Sequence, residues 1–285
     1  MPQQTPSYVL VTNGNAMSML ALGPWLLRHG TGLRKVYVTY KLPSAKGNLR
    51  GVAAMLFHSG WDYTYLKIWT NVLFPRRLRR QGLPASVSDL VSALGLPAAV
   101  EPVASVNTDR VVSEIRSQGV DYLVSFSATQ RFRDPLIAAP RIGAVNVHYG
   151  ALPAYAGLSP YFWHLHDRQP AFGVTLHRIT PALDAGPIIE QDHGTTEGAG
   201  SALEVLLRMA ERVSPMLCRF FEGETSLGDA RPQPTEGRSY FRHPTRRQVR
   251  HFRGGGHRMV DRNAKCRATE RVKALTQDVR EAGRG

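Results

Sequence analysis

The stretch Tyr8–Leu27, YVLVTNGNAMSMLALGPWLL, reads as strand, tight turn and helix. Tyr8–Thr12 is a short apolar, β-branched run, Asn13-Gly14-Asn15 carries turn chemistry, and the residues from Ala16 onward follow a helical pattern. The same alternation recurs downstream. Lys35–Tyr40 (KVYVTY) is a second strand, and Ala98–Val106 contains a third, interrupted by Pro102, which cannot donate to a ladder. Asn107-Thr108 caps a helix over Asp109–Gln118, in which Val111, Val112 and Ile115 share one face before Gly119 stops it. Asp121–Phe126 (DYLVSF), Ala144–Val147 (AVNV) and Phe172–His177 (FGVTLH) are further strands, and Ser201–Phe221 is an amphipathic helix presenting Leu203, Leu206, Leu207, Ala210, Val213 and Leu217 along one side.

Strands alternating with helices predict an α/β fold: a Rossmann-like, mostly parallel sheet with helices on both faces. The main domain is expected over residues 1–221, with a helical insert at about 51–83 that carries Trp61, Tyr63, Tyr65, Trp69 and the basic cluster Arg76–Arg80. Aromatic residues at such spacings are read as packing the insert onto the core. Residues 222–285 are expected to be a short, basic, partly irregular C-terminal extension, with Phe252–His257 (FRGGGH) loose or turn-like.

Composition narrows the functional classes. The chain has 285 residues, is 42% hydrophobic and carries a formal net charge of +14, so it can bury a core and is not disordered throughout. No apolar run approaches the ~18 residues of a membrane span, and the N-terminus lacks the pattern of a secretory signal. Two cysteines, Cys218 and Cys266, without a CxxC pair, exclude a disulfide framework and a cysteine-rich zinc site. The expected compartment is therefore the cytoplasm. From Arg231 to Gly285 there are 15 Lys and Arg against 5 Asp and Glu. Such a tail attracts polyanions by counterion release, yet charge alone specifies no partner, and a solvated surface is the plainer reading. The turn TNGNAM is not GxGxxG, no acidic residue follows the second strand, and no GxxxxGK[ST] occurs; nicotinamide, flavin and nucleotide-cleaving sites are disfavoured.

The segment Arg141–Gln191 carries the chemistry. Asn146 and His148 stand two apart at the end of a strand, so their side chains share a side. The carboxyl ends of strands are where open parallel sheets bind ligands. Asp184, in the loop Leu183-Asp184-Ala185-Gly186-Pro187, is placed where a carboxylate can face His148. An amide, an imidazole and a carboxylate suit acyl transfer: amide and protonated imidazole stabilise a tetrahedral oxyanion, and the carboxylate orients the ring and helps take a proton from an attacking amine. Taken one at a time, a histidine at a strand end is more often structural, and an Asp among turn formers is more often part of a turn.

The segment resembles the signature of the folate-dependent formyltransferases, N-x-H-x-S-L-L-P followed by a short loop ending in Gly, then G-V-T-x-H and L-D-x-G-P-I. This chain supplies Asn146, His148, Leu152, Pro153 and Gly157, then Gly173-Val174-Thr175, His177, Leu183-Asp184, Gly186-Pro187 and Ile188. The likeness extends more loosely over Tyr8–Phe221, which would make 1–221 the catalytic domain. It implies Asn146, His148 and Asp184 as catalytic residues and 10-formyltetrahydrofolate as formyl donor, a co-substrate, with no metal. It also implies a pterin lying against the backbone of Ser125, Phe126, Ser127, Ala128, Thr129 and Gln130 and of the loop Ile179, Thr180 to Leu183. His164 and His166 then read as helix surface or core, and for His177 a structural role is at least as good as a functional one.

Departures bear on the acceptor. Gly150 and Ala151 replace the family's Ser and first Leu, and Ala156 stands where a basic residue is common. The residues after Phe221 show too little strand alternation for the β-barrel of the tRNA-directed members. The favoured acceptor is the amine of a small molecule, an amino sugar or specialised metabolite. The alternatives are a tRNA-directed enzyme using the basic tail and Arg76–Arg80, and an inactive folate- or nucleic-acid-binding homologue. No membrane partner is expected, and a homodimer stays open. A cleft closed by the insert would favour a small acceptor; an open basic trough running onto the tail would favour RNA.

Overall fold

A computed structural model describes residues 5–39 and 45–283. The elements in chain order are β1 (Tyr8–Thr12), α1 (Ala16–His29), β2 (Leu33–Thr39), α2 (Ala45–Ile68), a π-helical turn (Trp69–Leu73), α3 (Phe74–Arg80), α4 (Val87–Ala93), β3 (Ala99–Val103), α5 (Asp109–Gln118), β4 (Tyr122–Phe126), α6 (Asp134–Ile137) and β5 (Gly143–His148). After these come β6 (Ala156–Gly157), α7 (Pro160–His166), β7 (Ala171–Arg178), β8 (Ile188–Thr195), α8 (Ala202–Phe221), β9 (Tyr240–Phe241), α9 (Arg246–Gly254) and α10 (Arg262–Ala282).

Seven strands form one sheet in the order β3-β2-β1-β4-β5-β7-β8, parallel from β3 to β5, and β6 pairs separately with β9. Alternation along each strand divides the core. Tyr8 and Leu10 of β1 point into one apolar cluster with α1, α7, α8 and α10, whereas Val9 and Val11 point into the other with α5 and α6. In the larger cluster Trp25 of α1 is wholly buried, its ring centroid 4.6 Å from Tyr8 and 5.1 Å from Phe221. Pro24 interrupts the bonding of α1, and Ser214 of α8 compensates: it accepts from the Trp25 amide and donates to the Ala21 carbonyl.

The strand–helix pattern from Tyr8 to Phe126 agrees with the reading of the sequence, and α5 has the expected bounds. The last residue of the second expected strand, Tyr40, lies outside the described residues. Three features differ. First, β7 runs antiparallel to β5, with Asn146 opposite His177 and His148 opposite Thr175. The connection from β5 to β7 holds only β6 and the seven-residue α7, so the chain returns on the same edge instead of crossing over. Second, β8 extends the sheet although its half-exposed, mixed residues (IIEQDHGT) show no strand alternation. Third, the segment after Phe221 is irregular only in part: α9 and α10 dock on the main domain. Phe252–His257, expected to be loose or turn-like, starts inside α9 with Phe252 buried and turns at Gly255-Gly256, and Val272, Leu275 and Val279 of α10 belong to the larger core cluster.

Candidate active site

A cleft of about 580 Å³ opens where the carboxyl ends of β1, β4 and β5 meet the insert and the loop after β7. Asn146 and His148 enter it from β5, two residues apart on one side of the strand. Asp184 comes from the β7–β8 loop, which folds back because Asp184 itself takes a left-handed conformation (φ 49°). Its Oδ1 lies 3.6 Å from His148 Nδ1, and its Oδ2 accepts the Gly157 amide at 2.9 Å. Gln233, beyond the Ser201–Phe221 helix, pins this loop by donating to the carbonyls of Asp184 (2.9 Å) and Gly186 (2.8 Å).

Each of the two β5 side chains is held from behind. His177, on the neighbouring strand, donates from Nδ1 to the Arg178 carbonyl at 2.8 Å, which leaves Nε2 to accept from the Asn146 amide at 3.0 Å. Burial pushes the His177 pKa down to about 4, with the neighbouring His148 adding to the effect, so the ring is neutral near neutral pH and can accept. His148 Nε2 lies 2.9 Å from the Tyr155 carbonyl while Nδ1 faces Asp184. An imidazolium there donates to one oxygen and faces the carboxylate with the other nitrogen. Gly150 and Ala151 fit this arrangement. A Cβ on Gly150 would stand 2.6 Å from the Tyr155 carbonyl oxygen and 2.8 Å from His148 Nε2, so the departure at this position keeps the ring seated. Ala151 packs against Gly173, where a Cβ would approach the Ala151 methyl to 2.6 Å.

The opposite wall comes from the insert, α7 and the tail. α2 turns sharply at Gly60 (φ 80°), a conformation side-chain-bearing residues rarely adopt, and then delivers Tyr63 and Lys67. The Tyr63 hydroxyl lies 2.5 Å from Ser159 Oγ and 2.8 Å from His243 Nδ1. Lys67 donates to the Tyr161 hydroxyl at 2.7 Å and sits 5.2 and 5.4 Å from the ring centroids of Tyr63 and Tyr161. Burial, helped by Lys67, pushes the His243 pKa down to about 4. Ser239 crosses the same region, accepting the Tyr155 amide at 2.9 Å, and β9 pairs with β6. Among the described residues, four of the five non-glycine residues with positive φ, Ser127, Tyr155, Ser159 and Asp184, sit in loops around the cleft, where backbone strain commonly accompanies function.

The residues expected to meet a pterin fall as follows. Phe126, Ser127, Ala128, Thr129 and Gln130 line the cleft, as do Ile179, Thr180 and Leu183; Ser125 is buried within β4 and does not. Gln130 also closes onto the chain, its side chain bonding the Val106 amide (3.0 Å) and the Ala104 carbonyl (2.7 Å). A second, broader hollow of about 820 Å³ adjoins the cleft through Thr129–Phe132 and Pro181 and carries Arg131 and Arg133. The sequence reading missed Lys67, Tyr161, His243 and Gln233. Lys67, Tyr161 and His243 share one signal, a titratable group near aromatic residues, which is common in packed cores; Gln233, between two prolines in RPQPT, carries none. His164 is core: both its ring nitrogens are buried without partners, and the ring stacks on Tyr155 at 3.9 Å.

Residues 75–210 match the family described as Formyl transferase. A methionyl-tRNA formyltransferase from Mycolicibacterium gilvum (strain PYR-GCK) is 31% identical over 155 residues, which is 54% of this chain and 49% of that protein. The chain spans about half the length of the curated relatives it matches. Among solved structures, a phosphoribosylglycinamide formyltransferase from Streptococcus pneumoniae TIGR4 aligns with a TM-score of 0.53 at 12% identity, over 77% of this chain and 98% of that one. WlaRD, a sugar 3N-formyl transferase crystallised in the presence of dTDP and 5-N-formyl-THF, aligns with a TM-score of 0.50 at 16% identity, over 84% of this chain and 70% of that one. The two structures share the fold of this chain. No described helix is long and apolar enough to cross a membrane.

Proposed function

We propose that this chain, a member of the formyl transferase family over residues 75–210, moves the formyl group of 10-formyltetrahydrofolate onto the amine of a small molecule, an amino sugar or a specialised metabolite. The observation that carries the reading is the convergence of Asn146, His148 and Asp184, from β5 and the β7–β8 loop, on one cleft. In this reading the amine nitrogen attacks the formyl carbon, and the oxygen takes up the charge in front of the Asn146 amide and the His148 imidazolium. Asp184 holds the ring and receives the amine's surplus proton, directly or through water. The carbon–nitrogen bond to the folate then breaks as that nitrogen takes the proton back from Asp184, directly or through water, and leaves as the neutral N–H of tetrahydrofolate, with the carboxylate restored.

The donor fits the far side of the cleft. The loop from Phe126 to Gln130 and the loop through Ile179 and Leu183 offer backbone to a pterin, and the adjoining hollow with Arg131 and Arg133 suits the acidic end of a folate. A small acceptor is supported by the insert, since Lys67, Thr70 and Asn71 wall the side where an open trough would serve RNA. Incubation with 10-formyltetrahydrofolate and a panel of amines is expected to release tetrahydrofolate and formylated amine, and Asp184→Asn to suppress both. Turnover with tRNA alone would replace the small acceptor, and turnover unaffected by Asp184→Asn would remove the mechanism.

A further inference from the structure

Among the described lysines, Lys67 stands apart by its place. Lys35 is neutralised by Glu101 and Glu114, and Lys273 by Glu270; Lys265, like Lys67, donates to a tyrosine hydroxyl (Tyr65, 2.8 Å) but does not line the cleft. Lys67 lines the cleft with no carboxylate beside it among the described residues; the groups that hold its charge are the hydroxyls of Tyr161 and Tyr63. Residues 1–4, 40–49 and 284–285 contain no Asp or Glu, so no other side chain of this sequence supplies the missing partner. A cation placed in a cleft wall without an internal counter-charge is costly unless a ligand completes it.

The surroundings fix the ammonium instead of letting it swing into solvent. Tyr63 is anchored by Ser159 and His243, and the two aromatic rings flank the Lys67 head at 5.2 and 5.4 Å. One of the three N–H groups goes to Tyr161, and Tyr63 engages at most one more, so at least one donor is left for a ligand. The π-helical turn Trp69–Leu73 follows directly, and such turns recur at functional sites. The charges of the cleft are also separated. Asp184, beside His148, is the only carboxylate lining it among the described residues, and Lys67 belongs to the facing wall. An amine directed to Asp184 and an acidic group directed to Lys67 satisfy both.

We propose that Lys67, with the Tyr161 hydroxyl, is the anion-recognition point on the acceptor side of the cleft, so that the acceptor amine carries a carboxylate or a phosphate. This rests on the formyl-transfer reading for the word acceptor, but the anion site itself does not. The test is thermal unfolding of the full chain titrated with inorganic phosphate and, separately, with malonate, for the wild type, Lys67→Met and Lys67→Arg, each with and without saturating 5-formyltetrahydrofolate. The wild type is expected to be stabilised by one of the two anions, which identifies the acidic group as phosphate or carboxylate. Lys67→Met should weaken that response roughly tenfold to a hundredfold in apparent affinity, and Lys67→Arg should retain most of it. The response should persist with the folate bound. No anion response in the wild type, or an equal response in Lys67→Met, overturns the site. An anion response erased by 5-formyltetrahydrofolate overturns its assignment to the acceptor. Absence of folate binding in every variant, with the anion response intact, counts against formyl transfer and not against the anion site.

Discussion

The ring of His177 stands across the β5–β7 pairing from Asn146, its Nε2 3.0 Å from the Asn146 amide nitrogen and its Nδ1 committed to the Arg178 carbonyl. The amide is thereby held at a set angle over the cleft floor. His177→Ala frees it, and kcat for formyl transfer should fall roughly tenfold to a hundredfold while donor binding stays unchanged. Asn146→Ala, which removes an oxyanion donor outright, should cost about 10²–10³-fold in kcat. Steady-state kinetics with folate binding measured in parallel checks both. An equal fall in donor affinity would show that His177 shapes the donor site and not the amide.

Asp184→Asn keeps an acceptor for the Gly157 amide, because the asparagine carbonyl can take the place of Oδ2. The fold should survive and the charge beside His148 should be lost. Turnover is expected to drop by about 10²–10⁴-fold, the usual weight of acid–base assistance, with an unchanged melting temperature. A large melting shift would reassign the residue to holding the loop.

Gly150→Ser would place a Cβ against the Tyr155 carbonyl and the His148 ring. Overpacking of this kind costs about 1–3 kcal/mol, and the displaced imidazole should lower kcat as well. Denaturant unfolding and turnover of the single variant decide this. Unchanged stability and rate would mean that the loop yields freely.

His164 and His177 are both deeply buried and held near a pKa of about 4, chiefly by loss of hydration, against 6.5 when free. The folded chain binds fewer protons than the unfolded chain between these values. The stability tied to these rings is therefore complete above about pH 6.5 and is lost as pH falls towards 4, at roughly 1.4 kcal/mol per pH unit per group. His164→Phe keeps the stacking on Tyr155 and removes two unpartnered nitrogens, so it should raise stability at neutral pH by about 1–3 kcal/mol and flatten this acid limb. Melting curves from pH 7 to pH 4 test it, and an acid limb as steep as that of the wild type would refute it.

Removing residues 231–285 deletes α10, whose Leu275 fills the space beside Gly23 of α1. The truncated chain should fail to fold, and Leu275→Ala alone should cost about 2–5 kcal/mol. Any test of RNA binding by the tail is better made with charge reversals at Arg247 and Arg250, which are exposed on α9. If the truncated chain instead keeps the wild-type melting temperature, the tail is a true appendage.

Local order was legible from the chain itself. Periodicity places β1, α5 and α8 because burial on one face at period 2 or 3.6 is written into consecutive residues. Asn146 and His148 share a side for the same reason. The antiparallel return of β7, the strand β8, and the docking of α10 depend on contacts between segments far apart in sequence, where single stretches carry little signal. The pairing of His177 with Asn146, the fold-back of Asp184, and the meeting of Lys67 with Tyr161 and His243 arise only when six separate segments close on one another. Residue types set what chemistry was available to this protein, whereas the distances that let those groups act together belong to the folded chain, because hydrogen bonding and charge act over a few ångströms of space and not along the sequence.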